Sequence, residues 1–437
     1  MFKNIFKKKK IHLFLRWFYP GIRLKRWIFL CLLSIFVVGI GLSGSLGEIF
    51  KNFALEIIDV RPLAKQIQSL RTIDFVLMIM GIAGIILAFR RGFYAIVTML
   101  WPAREKVYAT SLLKRLRLKR GPKIVVIGGG TGLPTLLSGL NSYTANLSAI
   151  VTMADDGGSS GRLRREYQAL PPGDIRNCLI AMAETSPLMN KLFQHRFQGE
   201  GGGIEGHSLG NLFITALSEI TGDFASGVKA ASQVLAVSGK VLPVTLDQVS
   251  LVAEFEDGTS ITGESKIGAS GRSIRKIKLF PEEVKLAPDI KRSLAEADAI
   301  VMGPGSLYTS ILPNLLVKGM VEEINQARAI KIYVCNVMTQ PGETDGMAVR
   351  DHVRAMLDHT KTQLVHYVVT NTQLPNKELL NRYQALGAQL VIADDEDVKY
   401  LAEKGIALVR GNLAVGKDLF RHDEDKLARQ ILKLVVI

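Results

Sequence analysis

Cysteine is scarce in this chain, with three residues in 437, at positions 31, 178 and 335. No two of them have metal-ligand spacing. This excludes a disulfide-stapled secreted domain and matches isolated structural thiols in a reducing compartment. Histidine is also sparse at seven residues, with no metal-binding cluster. No nucleophile elbow and no Ser-His-Asp arrangement can be justified. Acidic residues are the largest shortfall: 40 Asp and Glu stand against 55 Lys and Arg, for a formal charge of +15. Such a balance first points to nucleic acid. Length and 48% hydrophobic content exclude a disordered chain, and length alone allows two or three domains.

The excess charge is confined to two places. Residues 1–26 hold nine basic residues and no acid, and residues 90–120 hold nine against Glu105. The 317 residues from 121 onward hold 33 bases and 35 acids. Each patch borders an apolar run, Trp27–Gly47 or Phe75–Phe89. The first has 21 residues without a charge, about 30 Å as a helix, which matches a bilayer core. The second is shorter, at roughly 22 Å. The positive-inside rule puts both patches in the cytoplasm and 48–72 outside. The sequence therefore predicts an anchor over 1–120, with spans at about 27–47 and 73–89. A third apolar piece, Phe93–Trp101, is expected at the membrane surface. The expected location is the bacterial inner membrane, multi-pass, with the main domain in the cytoplasm. A signal peptide or a buried core hairpin is the plainer alternative, but a signal core usually has 7–15 residues and no clear A-x-A site follows. The patches also lack interleaved base-stacking aromatics, so no nucleic-acid partner is expected.

From Lys123 the pattern changes to short β-branched runs alternating with helical stretches. Strands are predicted at Lys123–Ile127, Leu147–Thr152, Ala299–Met302, Lys331–Val334, Leu364–Thr370 and Gln389–Ile392. Helices are predicted at Ile175–Glu184, Leu209–Ile220, Ile290–Ala297, Leu315–Ala327 and Asp345–Leu357. This is the pattern of an α/β domain over 121–437 with a mostly parallel sheet. Val249–Thr262, with its Asp257-Gly258 turn, is a predicted β-hairpin insert. The acidic run Asp394–Asp397 is expected to start a helix.

Ligands of open parallel sheets collect at the carboxyl ends of strands, and the informative motifs follow those ends. After the first comes Gly128-Gly129-Gly130-Thr131-Gly132, then an apolar helix. Glycines let the backbone approach a phosphate, and the helix end adds a positive dipole. Gly129, Gly130, Thr131 and Gly132 are candidate contacts, although Leu133 replaces the third glycine of a dinucleotide fingerprint and no G-K-[ST] follows. A turn without a ligand is the alternative. The second strand leads into Asp155, Asp156, Gly158, Ser159 and Arg162. Two carboxylates there suit a divalent cation or a ribose diol, and the arginine suits a phosphate. A flexible polar loop is the alternative. In Pro171-Pro172-Gly173-Asp174-Ile175-Arg176-Asn177, Asp174 reads as an N-cap or a ligand contact, with Arg176 and Asn177 in the first turn. In His207-Ser208-Leu209-Gly210-Asn211, Ser208 reads as an N-cap, and His207 and Asn211 as polar contacts or structural groups. Gly303, Gly305, Ser306 and Tyr308 form a second cradle candidate. Asn336 and Thr344 follow a further strand. Together these suit a ligand with phosphate and sugar parts.

The set and order of GGGTG, DDGGSSGRLR, PPGDIRN, HSLGN, GPGSLYTS and CNVMTQPGETDG resembles the YvcK branch of the YvcK/CofD family, the gluconeogenesis factors. The resemblance covers most of 121–437 and not the first 120 residues, so the chain looks like a membrane-anchored variant. It implies a Rossmann-like three-layer fold and binding of UDP-sugars such as UDP-N-acetylglucosamine. It also implies a regulatory role linking central carbon metabolism to envelope synthesis and cell shape. By resemblance, Gly130, Thr131, Gly132, Asp155, Asn211, Gly305 and Ser306 border the ligand. No cofactor is required on that reading, and a homo-oligomer is compatible with it. The CofD branch implies an alternative: a Mg²⁺-dependent 2-phospho-L-lactate transferase, with Asp155 and Asp156 on the metal. An NAD(P) oxidoreductase is a third reading, opposed by Leu133.

Overall fold

A computed structural model describes residues 24–55, 64–100, 117–184, 186–199, 203–416 and 419–435. The chain divides into two units, Met1–Leu113 and Lys114–Ile437.

The first unit pairs helix α1 (Leu24–Leu55) with helix α2 (Ala64–Leu100). They run antiparallel, since Arg91 lies over the Trp27 ring at 5.6 Å and Ser34 abuts Gly81 and Gly84. A Cβ on either glycine would collide with Ser34 or Val38, so small residues set the close approach. The outward faces carry Phe29, Leu32, Phe36, Phe75, Met80, Ile86 and Phe89. Phe75–Ala95, with mean hydropathy 1.8, is long and apolar enough to cross a bilayer. Arg26–Leu42 is a shorter apolar stretch. The expected break at residue 89 does not occur. Arg90 and Arg91 are good helix formers and no proline falls within residues 90–101, so Phe93 and its neighbours continue α2. Helix takes up most of the expected 48–72 loop, because α1 runs to Leu55 and α2 begins at Ala64. Basic residues in 1–23 and 101–116 lie outside the described residues.

The second unit begins with β1 (Ile124–Gly128), α3 (Gly132–Asn141) and β2 (Leu147–Val151). A helical stretch follows: α4 (Gly158–Tyr167), α5 (Gly173–Met182), α6 (Pro187–Gln194), α7 (Leu209–Thr221) and α8 (Phe224–Val234). Next come β3 (Lys240–Pro243) and an insert of β4 (Ser250–Phe255), β5 (Ser260–Thr262), α9 (Glu264–Ala269) and β6 (Ile274–Phe280). The chain returns through α10 (Pro288–Ala295), β7 (Ala299–Met302), a π-turn over Leu307–Ile311, α11 (Leu312–Leu315) and α12 (Met320–Gln326). It ends with β8 (Ile330–Val334), α13 (Val349–Thr360), β9 (Tyr367–Asn371), α14 (Lys377–Ala385), α15 (Asp395–Glu403), β10 (Ala407–Gly411), β11 (Ala414–Gly416), β12 (Phe420–His422) and α16 (Glu424–Val435).

Seven parallel strands form one sheet in the order β10-β9-β8-β7-β1-β2-β3. This is the Rossmann-like α/β arrangement that the sequence predicts. The chain winds outward from β1 to β3, then crosses back and winds the other way from β7. The switch point therefore falls between β1 and β7, where their carboxyl ends part. Strands β1 and β7 are buried on both faces, which accounts for their continuous Ile-Val runs. Leu133, Leu136, Leu137 and Leu140 of α3 are fully buried.

The predicted hairpin is present as β4 and β5, which pair antiparallel, and β6 adds a third strand on the other edge of β4. Gln389–Ile392 is not a strand. It makes only an isolated bridge from Leu390 to Met338, and the sheet edge is taken instead by β10. The predicted helix 315–327 is interrupted at Gly319, whose φ of +91° suits glycine. The helix start at Asp394 is present, with Asp394 accepting from the Asp397 N–H in a capping box.

Candidate functional site

The β1 loop and the β7 loop touch at the switch point. A Cβ on Gly132 would lie 2.5 Å from the Pro304 carbonyl oxygen, so only glycine permits this contact. Gly130 turns the chain at φ +61°. Its N–H donates to Asp174 Oδ2 at 2.7 Å. Asp174 is not the N-cap of α5: Pro172 holds that position, and Asp174 reaches back across the sheet end to the glycine loop. Burial is the main cause that raises its pKa to about 6, and the Gly130 bond and Arg176 oppose the shift. Asn336 fastens the second loop. Its Oδ1 accepts from the Gly305 N–H at 3.2 Å, and its Nδ2 donates to the Gly305 carbonyl at 2.9 Å. Ser306 caps the π-turn by accepting from the Thr309 N–H, and its hydroxyl donates to Glu343 Oε2.

One strand over, the carboxyl end of β2 opens into a cleft of about 240 Å³. It is lined by Asp155, Gly158, Ser159, Asp174, Arg176, Asn177 and Asn211, and also by Gly157, Ser160, Gly173 and Arg196. Three helix starts, those of α4, α5 and α7, bring these groups together. Ser208 caps α7, accepting from the Asn211 N–H at 3.2 Å, as its sequence position predicts. The same Ser208 hydroxyl takes a hydrogen bond from Arg176 Nη1. Asn211 Oδ1 accepts from Nη1 at 3.0 Å, and Asn177 Oδ1 accepts from Nη2 at 2.8 Å. The buried guanidinium is thus held in one orientation. Beside it, Ser159 Oγ and His207 Nδ1 share a 2.9 Å hydrogen bond, and Asn211 Nδ2 donates to Ser159 Oγ at 3.0 Å. Burial and then Arg162 lower the His207 pKa. Arg162 itself donates to the Glu205 carbonyl.

The paired carboxylates diverge. Asp155 Oδ1 accepts from the Gly157 N–H at 2.9 Å on the cleft wall. Asp156 Oδ1 accepts from the Ser265 N–H at 2.9 Å and from the Ser265 hydroxyl, so it ties α4 to the insert. Among the described residues, no three Asp, Glu, His or Cys side chains converge with the geometry of a metal site. Asp155 thus lines the cleft while Asp156 is engaged by the insert.

Two acids that sequence reasoning missed stand behind the cleft. Glu264, on α9, has its pKa raised well above the carboxylate range by burial, then by Asp155, Asp174, Asp156 and Glu343. Its buried Oε2 has no hydrogen-bond partner. Burial likewise raises Glu343. Glu343 lies within the CNVMTQPGETDG motif without having been singled out, whereas no local motif marks Glu264 or Arg196, because each comes from an element distant in sequence. Other predicted residues lie apart from the cleft. Thr131 is exposed at the start of α3, and Gly129 lies against Asp174 and Thr152. Gly303 is buried in the β7 loop. Tyr308 is buried edge-on to His359 at 5.9 Å. Thr344 is a turn residue whose hydroxyl accepts from the Gln340 N–H at 2.9 Å.

Comparison with known proteins adds to this geometry. Residues 124–414 match the family model described as 2-phospho-L-lactate transferase CofD. A Nostoc protein named "Putative gluconeogenesis factor" is 44% identical, over 97% of this chain and 93% of its own. The Bacillus subtilis "Gluconeogenesis factor" is 46% identical, over 72% of this chain and 98% of its own. The Nostoc match thus takes in the N-terminal unit, which the Bacillus relative lacks. The crystal structure of a Bacillus halodurans protein of the upf0052 family superposes with a TM-score of 0.68. It is 45% identical, covering 72% of this chain and 99% of that one.

Proposed function

This chain belongs to the YvcK/CofD family, and from that premise we propose that it is a gluconeogenesis factor that binds a nucleotide-sugar of the UDP-N-acetylglucosamine class. In this role it regulates, coupling central carbon metabolism to envelope synthesis and cell shape. The observation that carries the reading is the cleft at the end of β2. Acidic groups that suit sugar hydroxyls, Asp155 and Asp174, face basic groups that suit phosphates, Arg176 and Arg196. The cleft lies beside the switch point of the sheet, where α/β folds of this order take nucleotides. Calorimetric titration of the full-length chain with UDP-N-acetylglucosamine is expected to give saturable heat, and no heat at millimolar ligand refutes the reading.

The proposal includes attachment to a bacterial inner membrane through α1 and α2, with the second unit in the cytoplasm. The outward apolar faces of the two helices support it, as does Trp27 at the level of Arg91. The protein is expected to stay in the membrane fraction after alkaline extraction. A reporter fused at residue 120 is expected to behave as cytoplasmic, and an extracytoplasmic signal overturns the topology.

The description of the matched family model favours a second reading, a phospholactate-type transferase. Since Asp155 and Asp156 diverge, no step through a metal is assigned to them. Incubation with a lactyl-diphosphoguanosine donor, a deazaflavin acceptor and Mg²⁺ decides it. Absence of product alongside intact ligand binding leaves the regulatory reading.

A further inference from the structure

All seven strands of the main sheet are parallel, so their amino ends share one edge, opposite the edge that opens into the cleft. Charge is unevenly placed there. Residues 121–437 hold 33 bases and 35 acids, yet the starts of β1, β3 and β8 carry exposed Arg117, Lys119, Arg120, Lys123, Lys240 and Arg328. The segment that enters this unit is fixed on the edge. The Leu118 carbonyl accepts from the Ala145 N–H at 3.0 Å, and Asn146 Nδ2 donates to the Lys119 and Gly121 carbonyls at 3.0 and 2.7 Å. The acids nearby are largely spent on the protein. Glu296 pairs with Lys123 at 3.1 Å and with Arg292 at 2.8 Å, and Asp298 Oδ2 accepts from the Lys123 N–H at 2.7 Å. Asp425 pairs with Arg429 and accepts from the Tyr143 hydroxyl. Glu184 lies beside Ala236 at the β3 end. Arg117, Lys119, Arg120, Lys240 and Arg328 form no ion pair among the described residues, which leaves the edge electropositive. Between the starts of β1, β2 and β3 and helix α10, the same edge opens a recess of about 240 Å³, lined by Lys123, Asn146, Ser148, Lys240, Ser293 and Glu296. The Ser293 hydroxyl in its wall has no hydrogen-bond partner, although the residue is only 7% exposed. A buried hydroxyl of this kind suits a ligand oxygen.

We propose that the amino-end edge of the sheet is a docking surface for an anionic bilayer, with the recess seating the phosphate of one lipid headgroup between Lys240 and the Ser293 hydroxyl. Five unpaired cations on one edge match the negative potential of anionic lipid. Glu296 is the one carboxylate in the recess, and Lys123 and Arg292 both bond it, which offsets its repulsion of the phosphate. Sixteen residues separate Leu100, the end of α2, from Arg117. A bilayer entered by α2 therefore keeps the edge within a short chain length of lipid. The proposal rests on the membrane attachment of α1 and α2 only for that proximity. Docking by this edge turns the cleft away from the bilayer, because the cleft lies at the carboxyl ends of the same strands. A soluble ligand then reaches the cleft without crossing the headgroup layer.

The Bacillus halodurans structure covers 72% of this chain and 99% of its own, so the second unit folds without the first. The test sediments residues 114–437 with vesicles of phosphatidylcholine and with vesicles that also contain phosphatidylglycerol. Five cations at about fivefold each give an association constant on the order of 10³ M⁻¹ in lipid, within reach of millimolar vesicles. Wild type is expected to bind the anionic vesicles alone, and less tightly as salt rises. Lys119→Ala combined with Arg120→Ala is expected to weaken binding about 25-fold, and Lys240→Ala about fivefold. Ser293→Ala is expected to weaken it about fivefold at an unchanged melting temperature, and equal binding overturns the headgroup seat. Lys377 is exposed at the start of α14, on the carboxyl-end side, and Lys377→Ala is expected to bind as wild type does. Equal losses from Lys377→Ala and Lys240→Ala, equal binding to neutral vesicles, or no binding to anionic ones overturn the docking surface. So does glycerol phosphate that binds when anionic vesicles do not, since a soluble phosphate is then the occupant. A DNA duplex that binds as tightly as the anionic vesicles, with the same loss on Lys119→Ala and Arg120→Ala, overturns lipid as the partner. Alkaline extraction of the full-length chain scores attachment through α1 and α2 separately, so either reading can fall while the other stands.

Discussion

Replacing Asp174 by Asn is expected to stabilise the protein above pH 6 and to do nothing near pH 4. The carboxyl is half-buried behind Gly130, and its pKa is raised from 3.8 to about 6. Between those values the folded protein binds more protons than the unfolded chain. Stability therefore falls as pH rises through this window, and the full cost is present above it. A shift of roughly two units at 1.36 kcal/mol each makes that cost about 3 kcal/mol. Asparagine keeps an oxygen for the Gly130 N–H while removing the charge. The variant should thus exceed wild type by up to about 3 kcal/mol at pH 7, with a flatter profile between pH 4 and 6. Urea unfolding of both proteins at pH 4, 5, 6, 7 and 8 measures this. Parallel profiles across the window, or a variant less stable at pH 7, refute the argument that Asp174 is half-buried at the expense of its charge.

Three further outcomes follow from the same geometry. Gly132→Ala sets a methyl 2.5 Å from the Pro304 carbonyl oxygen and must part the two loops. It should cost about 1–3 kcal/mol in urea unfolding, and no loss refutes the contact. Ser208→Ala removes both the cap of α7 and a partner of buried Arg176. It is expected to cost roughly 2–4 kcal/mol, with Ser208→Thr recovering most of it. Glu264→Gln removes a carboxyl that burial and four neighbouring acids push well above its ordinary range. Wild-type stability falls as pH rises past that ordinary range and the glutamine variant escapes the fall, so melts at pH 4 and 7 should diverge only at the higher value.

The sheet was legible because its strands are buried on both faces and read as unbroken Ile and Val runs, as in Val125–Ile127 and Ala299–Met302. The edge was not. Strand β10 is half-exposed, with Ala407 and Arg410 outward, and offers no such run, whereas Gln389–Ile392 resembles a strand and pairs with nothing beyond a bridge. Ser208 was legible as a cap because capping is local. The N-cap reading of Asp174 failed for a physical reason: the motif shows a carboxylate at a helix start, but its partner, Gly130, lies 44 residues away. Arg196 and Glu264 were invisible to motif reading because their neighbours are assembled only by the fold.

That assembly bears on why the costs sit where they do. A half-buried carboxyl and a buried guanidinium with an unpaired N–H each subtract from stability, by desolvation and by lost hydrogen bonding. Here Asp174 and Arg176 stand two residues apart in α5, at the edge of the sheet where its winding reverses, while the strands behind them are buried hydrocarbon. Had these groups served folding alone, their charges would be matched to each other by direct ion pairs, as Arg350 is to Asp394 and Asp397 on the far side of the sheet. Instead Asp174 bonds an amide and Arg176 bonds neutral oxygens, which fixes both in place and leaves much of their charge unneutralised. A site that holds opposite charges apart, each rigid and only partly satisfied, is preorganised for a ligand carrying phosphate and hydroxyl groups at matching positions.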